Sequence, residues 1–234
     1  MNKPLYFADS YLKEFDATVT AVDGMNVVLD QTAFYATGGG QPNDTGKLVL
    51  DGKEYKVIDV KKGEQGAVHV VAEPGLKPGD RVKGVIDWDR RYRLMRMHTA
   101  AHVLAATVNK LTGALVGGKQ LELDKSRIDF TIEQFDQERI QQFADEANKA
   151  IAAGAPVTTS FMPREEALRI PGMVKLIERM PPNIPELRIV EIKGVDIQAC
   201  GGTHLKEIKD IGTIKVLKAE NKGKGHRRMH YTLE

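Results

Sequence analysis

Two five-residue stretches, His98-Thr99-Ala100-Ala101-His102 and Cys200-Gly201-Gly202-Thr203-His204, restrict what this chain can fold into more than any other feature. The first lies in an apolar, proline-free run from Tyr92 to Leu111 whose pattern predicts a helix ending near Gly113. Residues four apart leave a helix on one face, so both imidazoles can reach one ion. The second pair has the same spacing but holds two glycines. A double glycine is costly inside a helix, so that pair is expected on a strand-to-loop turn. Three imidazoles and one thiolate form a donor set suited to Zn²⁺. The competing reading is a chance placement of core histidines. The chain has six histidines and one cysteine, and four of those seven fall into these two pairs, which favours a shared metal.

A length of 234 residues suffices for two modest domains, placed by the sequence pattern at 1–88 and 89–234. Hydrophobic content of 41% with 28% charged residues is ordinary for a globular protein. The opening residues carry no apolar signal-type run, and no stretch approaches a membrane span. One cysteine excludes an internal disulfide framework and fits a reducing compartment, so a cytoplasmic location is expected. A net charge of +2 is too small to argue for a nucleic-acid partner by itself.

Residues 1–88 read as a small all-β barrel or sandwich. Phe15–Val22 and Met25–Asp30 flank Asp23-Gly24, a hairpin turn signal. Short strands follow at 46–50, 54–60, 67–71 and 82–88, punctuated by glycine and proline. Inside this unit lies Phe34-Tyr35-Ala36-Thr37-Gly38-Gly39-Gly40-Gln41. It lacks the Lys-Ser/Thr of a phosphate loop, so it reads as a flexible hairpin tip or a shaped turn presenting a polar group.

From Asp89 the pattern becomes α/β. Asp89 is the expected cap of the histidine helix, whose first turns carry Arg90, Arg91, Arg93 and Arg96 against the helix dipole. Strands are expected at 115–123 and 126–132, then a helix from an Asp136 cap to Gly154 with a stripe of Ile140, Phe143, Ala144, Ala147 and Ile151. A strand at 156–162, a short helix after Pro163 and an irregular stretch at 170–185 follow. Strands at 186–192 and 195–199 deliver Cys200, and a pair at 212–218 and 226–233 ends the chain. The whole is an α+β chain. A catalytic zinc would lower a water's pKa to about 7 and polarise a carbonyl. No glutamate stands within the histidine pair, which disfavours a His-Glu-x-x-His protease.

The two pentapeptides, about a hundred residues apart, resemble the editing domain of alanyl-tRNA synthetases, and the glycine loop resembles the segment preceding it. With no room for an aminoacylation domain, the chain is similar to the free-standing AlaX family, medium-length type. The resemblance implies a β-barrel followed by a two-layer α/β zinc-binding editing domain. It also implies hydrolysis of mischarged tRNA(Ala), chiefly the seryl and secondarily the glycyl ester, by a zinc-bound water with no assigned side-chain base. One Zn²⁺ would be held by His98, His102 and Cys200, with His204 or water in the fourth position. Gln41 matches the family's glutamine; Gly39, Gly40, Thr99 and Gln120 are further substrate-binding candidates. Lys222, Lys224, Arg227 and Arg228, in a basic segment free of acid, are candidates for phosphate contacts with the tRNA(Ala) acceptor end. Two other classes stay open: a zinc-stabilised RNA-binding module without chemistry, and a hydrolase of small amino-acid esters. No membrane partner is expected, and oligomeric state is left open.

Overall fold

The computed structural model describes residues 3–133, 136–170, 173, 184–223 and 225–234. The chain divides into two compact units, Met1–Arg93 and Leu94–Glu234. Among the described residues no helix is long and apolar enough to cross a membrane.

In the first unit the strands are β1 (Lys3–Pro4), β2 (Glu14–Asp23), β3 (Asn26–Leu29), β4 (Gln31–Thr32), β5 (Gly46–Leu50), β6 (Lys53–Gly63), β7 (Gly66–Val71) and β8 (Arg81–Ile86). Six of them close a barrel in the order β2-β3-β7-β6-β5-β8, so no edge is left unpaired. Each strand alternates, and in β2 it is Phe15, Ala17 and Val19 that face inward among Val27, Leu29, Leu48, Val57 and Val82. Gly84 makes room for this core: a Cβ there would stand 2.3 Å from the Phe15 ring.

The glycine loop is a shaped turn. Gly38 and Gln41 exchange backbone hydrogen bonds of 3.0 and 2.9 Å around Gly39 (φ 57°) and Gly40 (φ 83°), a two-residue turn of the type that demands positive φ at both centres. Tyr35 Oη donates to the Gly38 carbonyl at 2.8 Å. Gln41 is buried. Below the turn, Asp44 accepts the Tyr35 N–H at 2.6 Å and pairs through both oxygens with Arg91. Arg91 is wholly buried and also donates to the Ser10 and Ala33 carbonyls.

α1 (Trp88–Thr112) starts two residues before the point that an Asp89 cap implies. Asp87, not Asp89, caps it: its Oδ1 accepts the Arg90 N–H at 3.3 Å, and its carbonyl accepts the Arg91 N–H. The expected strand 82–88 therefore stops at Ile86. Of the four arginines, Arg91 meets a carboxylate, while Arg90 and Arg96 donate to the carbonyls of Asn43 and Ile211.

His69 lies inside the barrel, with Nδ1 donating to the Val27 carbonyl (3.1 Å) and Nε2 accepting from Thr32 Oγ1 (2.8 Å). Burial pushes its pKa down from 6.5 to about 4, and the Val27 carbonyl only partly opposes this. The unfolded chain therefore takes up this proton first, so the contribution of neutral His69 is lost as pH falls from about 6.5 to about 4. That loss is about 3 kcal/mol. Urea unfolding at pH 7 and pH 4 should show the wild type losing about that much more than His69→Gln; equal losses would contradict the assignment.

The second unit contains the rest of α1, then β9 (Val116–Gln120), β10 (Ser126–Phe130), α2 (Gln137–Ala153), β11 (Val157–Pro163), α3 (Arg164–Ala167), β12 (Glu186–Ile192), β13 (Asp196–Ala199), β14 (Ile214–Asn221) and β15 (Arg227–Leu233). The strands form two sheets, β14-β15-β10-β9 and β11-β12-β13. From Leu94 to Val108, α1 is buried on nearly every side, as a central core helix must be. Asp136 caps α2 by accepting the Arg139 N–H, Gly154 ends it at φ 77°, and Phe143, Ala144, Ala147 and Ile151 are its buried stripe. The expected irregular stretch 170–185 lies mostly outside the described residues.

Candidate metal centre

α1 presents His98 and His102 one turn apart, with rings 5.1 Å apart. The end of β13 presents Cys200, and the glycine turn beyond it brings His204 back, 4.2 Å from the His98 ring and 4.5 Å from that of His102. One donor atom from each of these four residues lies within 4.8 Å of the others. All three histidines are buried, and Cys200 is half-buried. Two backbone devices hold the turn. Cys200 N–H donates to the Arg188 carbonyl at 3.0 Å, while Arg188 Nη1 donates to the carbonyls of Cys200 and Gly202 at 2.7 and 2.9 Å.

Spacing and valence both fit a tetrahedral ion. Zinc bonds of about 2.05 Å to nitrogen and about 2.3 Å to sulfur place those donors about 3.6 Å apart. Cys200 Sγ lies 3.5 Å from His98 Nε2 and 3.4 Å from His204 Nε2. His102 Nε2 is buried with no hydrogen-bond partner, an orphan that a cation would satisfy. The four residues could thus hold a metal ion.

Protonation follows the same design. Burial, then Lys119, hold His98 well below its ordinary value; burial, then His102, bring His204 down to about 4. Burial raises the Cys200 thiol, but His98, Lys119 and His204 outweigh it and hold it well below its usual range. His102 is the exception, raised against burial and Lys119 by the neighbouring Asp196 and Cys200. His98 and His204, held neutral beside a thiolate, are in the forms that bind metal.

Several neighbours escaped the sequence reading. Lys119 Nζ lies 2.7 Å from His98 Nε2, and an ion taking that lone pair displaces the ammonium. Asp196 Oδ2 and Gln198 Nε2 each lie 3.0 Å from His102 Nδ1. Thr99, expected to bind substrate, is buried behind His204, with Oγ1 3.2 Å from Nδ1 of that ring while accepting the Leu205 N–H. Gln120 is not brought to the cluster. It pairs with Arg127 one position from the Lys119–Ile128 pair, so its side chain leaves the other face of β9 and binds Arg127 and Glu122. Gly39, Gly40 and Gln41 belong to the barrel unit. Of the basic candidates, Lys222 is exposed and Lys224 lies outside the described residues. Arg227 folds onto its own turn through Asn221 Oδ1 and the Gly223 and His226 carbonyls, and Arg228 forms a two-pronged pair with Asp129.

Similarity over the whole chain decides the family. An alanyl-tRNA editing protein AlaX-M of Methanosarcina barkeri (strain Fusaro / DSM 804) is 48% identical over 241 residues, covering 100% of this chain and 99% of that protein. The chain belongs to the AlaX-M family. A second AlaX-M, from Saccharolobus solfataricus, is 48% identical over the full length of both chains. An alanine–tRNA ligase of Pyrobaculum neutrophilum is 41% identical over 98% of this chain and 27% of its own length. Residues 7–90 match the family "tRNA synthetases class II (A)", and residues 187–230 match "Threonyl and Alanyl tRNA synthetase second additional domain". The second match contains Cys200 and His204 of the AlaX-M centre; His98 and His102 fall between the two.

Proposed function

We propose that this chain hydrolyses the aminoacyl ester of mischarged tRNA(Ala), chiefly seryl and secondarily glycyl, with Zn²⁺ held by His98, His102 and Cys200 and the fourth position taken by His204 or by the attacking water. The observation that carries the reading is the orphaned Nε2 of His102 among three further donors at zinc spacing, in a chain related to AlaX-M proteins along its whole length. An ion bound there would supply Lewis acidity, able to polarise an ester carbonyl and to bring a water's pKa towards neutrality. The chain's own residues do the rest. Arg188 pins the turn that sets Cys200 and His204, and Thr99 Oγ1 accepts a hydrogen bond from the Nδ1–H of His204 when Nε2 is the metal donor. Attack of water on an ester requires neither a redox cofactor nor a nucleotide.

The need for such an enzyme is physical: a pocket built for alanine cannot strongly exclude glycine or fully reject serine, so a second hydrolytic site removes the error. By resemblance, Gln41, Gly39 and Gly40 serve the substrate. Lys222, Lys224, Arg227 and Arg228 serve the phosphates of tRNA(Ala), so affinity should fall as salt rises. Metal analysis tests the centre. Wild type should carry one zinc per chain, and Cys200→Ala and His102→Ala should lose most of it together with seryl-tRNA(Ala) deacylation; full zinc in both variants would remove the basis of the proposal.

A further inference from the structure

We propose that Asp196 is a positioning residue of the metal centre, holding His102 in the tautomer whose Nε2 lone pair faces the other donors, with Gln198 steadying the carboxylate. The inference rests on the metal reading above and deepens it. Side chains alternate along a strand, so Asp196 and Gln198 share one face of β13, the face that Cys200 continues two residues on. Both are buried, and the Asp196 side chain is completely enclosed. Asp196 Oδ2 lies 3.0 Å from His102 Nδ1, and Gln198 Nε2 donates to that same oxygen at 2.5 Å.

An ionised carboxylate can only accept, and a neutral imidazole carries a single N–H. The contact therefore places that proton on Nδ1, and Nε2 is left with a lone pair. The surroundings of Nε2 agree, since it is buried and makes no hydrogen bond. The opposite tautomer would bury an unpaired N–H at Nε2 and set lone pairs against each other at 3.0 Å, two costs at once. Gln198 Nε2 is also 3.0 Å from Nδ1, but an N–H there offers no lone pair, so the amide hydrogen goes to Asp196. A carboxylate behind a ligating histidine both orients the ring and strengthens its donor nitrogen, and loss of such a partner typically weakens metal binding 10- to 100-fold.

Asparagine at position 196 keeps the size of the side chain while removing its charge, and its amide can turn to offer either an oxygen or an NH₂ group. The test is Zn²⁺ affinity of the metal-free full-length chain, measured by competition with a chromophoric chelator, beside thermal unfolding of the same metal-free samples. Asp196→Asn should bind Zn²⁺ about 10- to 100-fold more weakly. Zinc affinity within twofold of wild type, whatever the change in melting temperature, would assign Asp196 a structural role only and overturn the inference. Should the variant not fold, ¹⁵N NMR of the zinc-loaded wild type decides. His102 bound through Nε2 with its proton on Nδ1 supports the assignment, and binding through Nδ1 overturns it. A wild-type chain that takes up no Zn²⁺ fails the metal reading itself, a different result from tight wild-type binding with an unaffected variant.

Discussion

Seryl-tRNA(Ala) should be deacylated roughly 10⁴-fold faster than correctly charged alanyl-tRNA(Ala). The two esters differ by one hydroxyl. A site built to hydrogen-bond that group leaves buried polar atoms unpaired when alanine enters, which discriminates far more strongly than a missing methyl. In the second unit Lys119 stands beside the donor quartet, its Nζ 2.7 Å from His98 Nε2. Single-turnover deacylation of the two esters measures the ratio. Equal rates would contradict an editing role, since such an enzyme would destroy correct product. Equal rates on seryl-tRNA(Ala) and a tRNA-free serine ester would identify a small-ester hydrolase, and zinc binding without hydrolysis an RNA-binding module.

Truncating Arg91 to alanine should destabilise the protein by about 3–5 kcal/mol, the typical cost of breaking a fully buried ion pair from one side. Arg91 and Asp44 are both wholly shielded from water, and the arginine fork also satisfies the Ser10 and Ala33 carbonyls. Removing it strands a carboxylate and two carbonyls inside the barrel unit. Arg91→Lys should recover only part of the loss, because one ammonium cannot reproduce four fork contacts. Urea unfolding of the full-length chain reads both effects; a loss below about 1 kcal/mol for Arg91→Ala would mean that water replaces the arginine.

The donor quartet was legible because its spacing is local: four residues apart on a helix, and four apart across a double glycine. The barrel strands were legible for a similar reason, since alternation and glycine turns lie within short windows. Asp44 and Arg91 are 47 residues apart, and nothing local to either marks the other. Lys119, and not Gln120, lies on the quartet's side of β9; two adjacent polar residues leave strand phase open, and a shift of one position exchanges the faces. Asp196 and Gln198 did leave a signal. In Asp196-Ile197-Gln198-Ala199-Cys200, alternation already places both polar residues on the cysteine's face, but a plain strand assignment passes over it. The Asp89 cap failed by two positions, because Asp87 and Asp89 are equally good caps in isolation, and it is Asp87 that Thr45 holds, by its hydroxyl at 3.0 Å and its carbonyl at 2.8 Å.

A zinc titration tests most directly whether the three histidines and one cysteine are the hydrolytic centre. Metal-free full-length protein is supplied with increasing Zn²⁺, and the rate of seryl-tRNA(Ala) deacylation is followed. Activity should start near zero, rise in proportion to added zinc and level off at one equivalent per chain. Full activity in the metal-free protein would contradict the account.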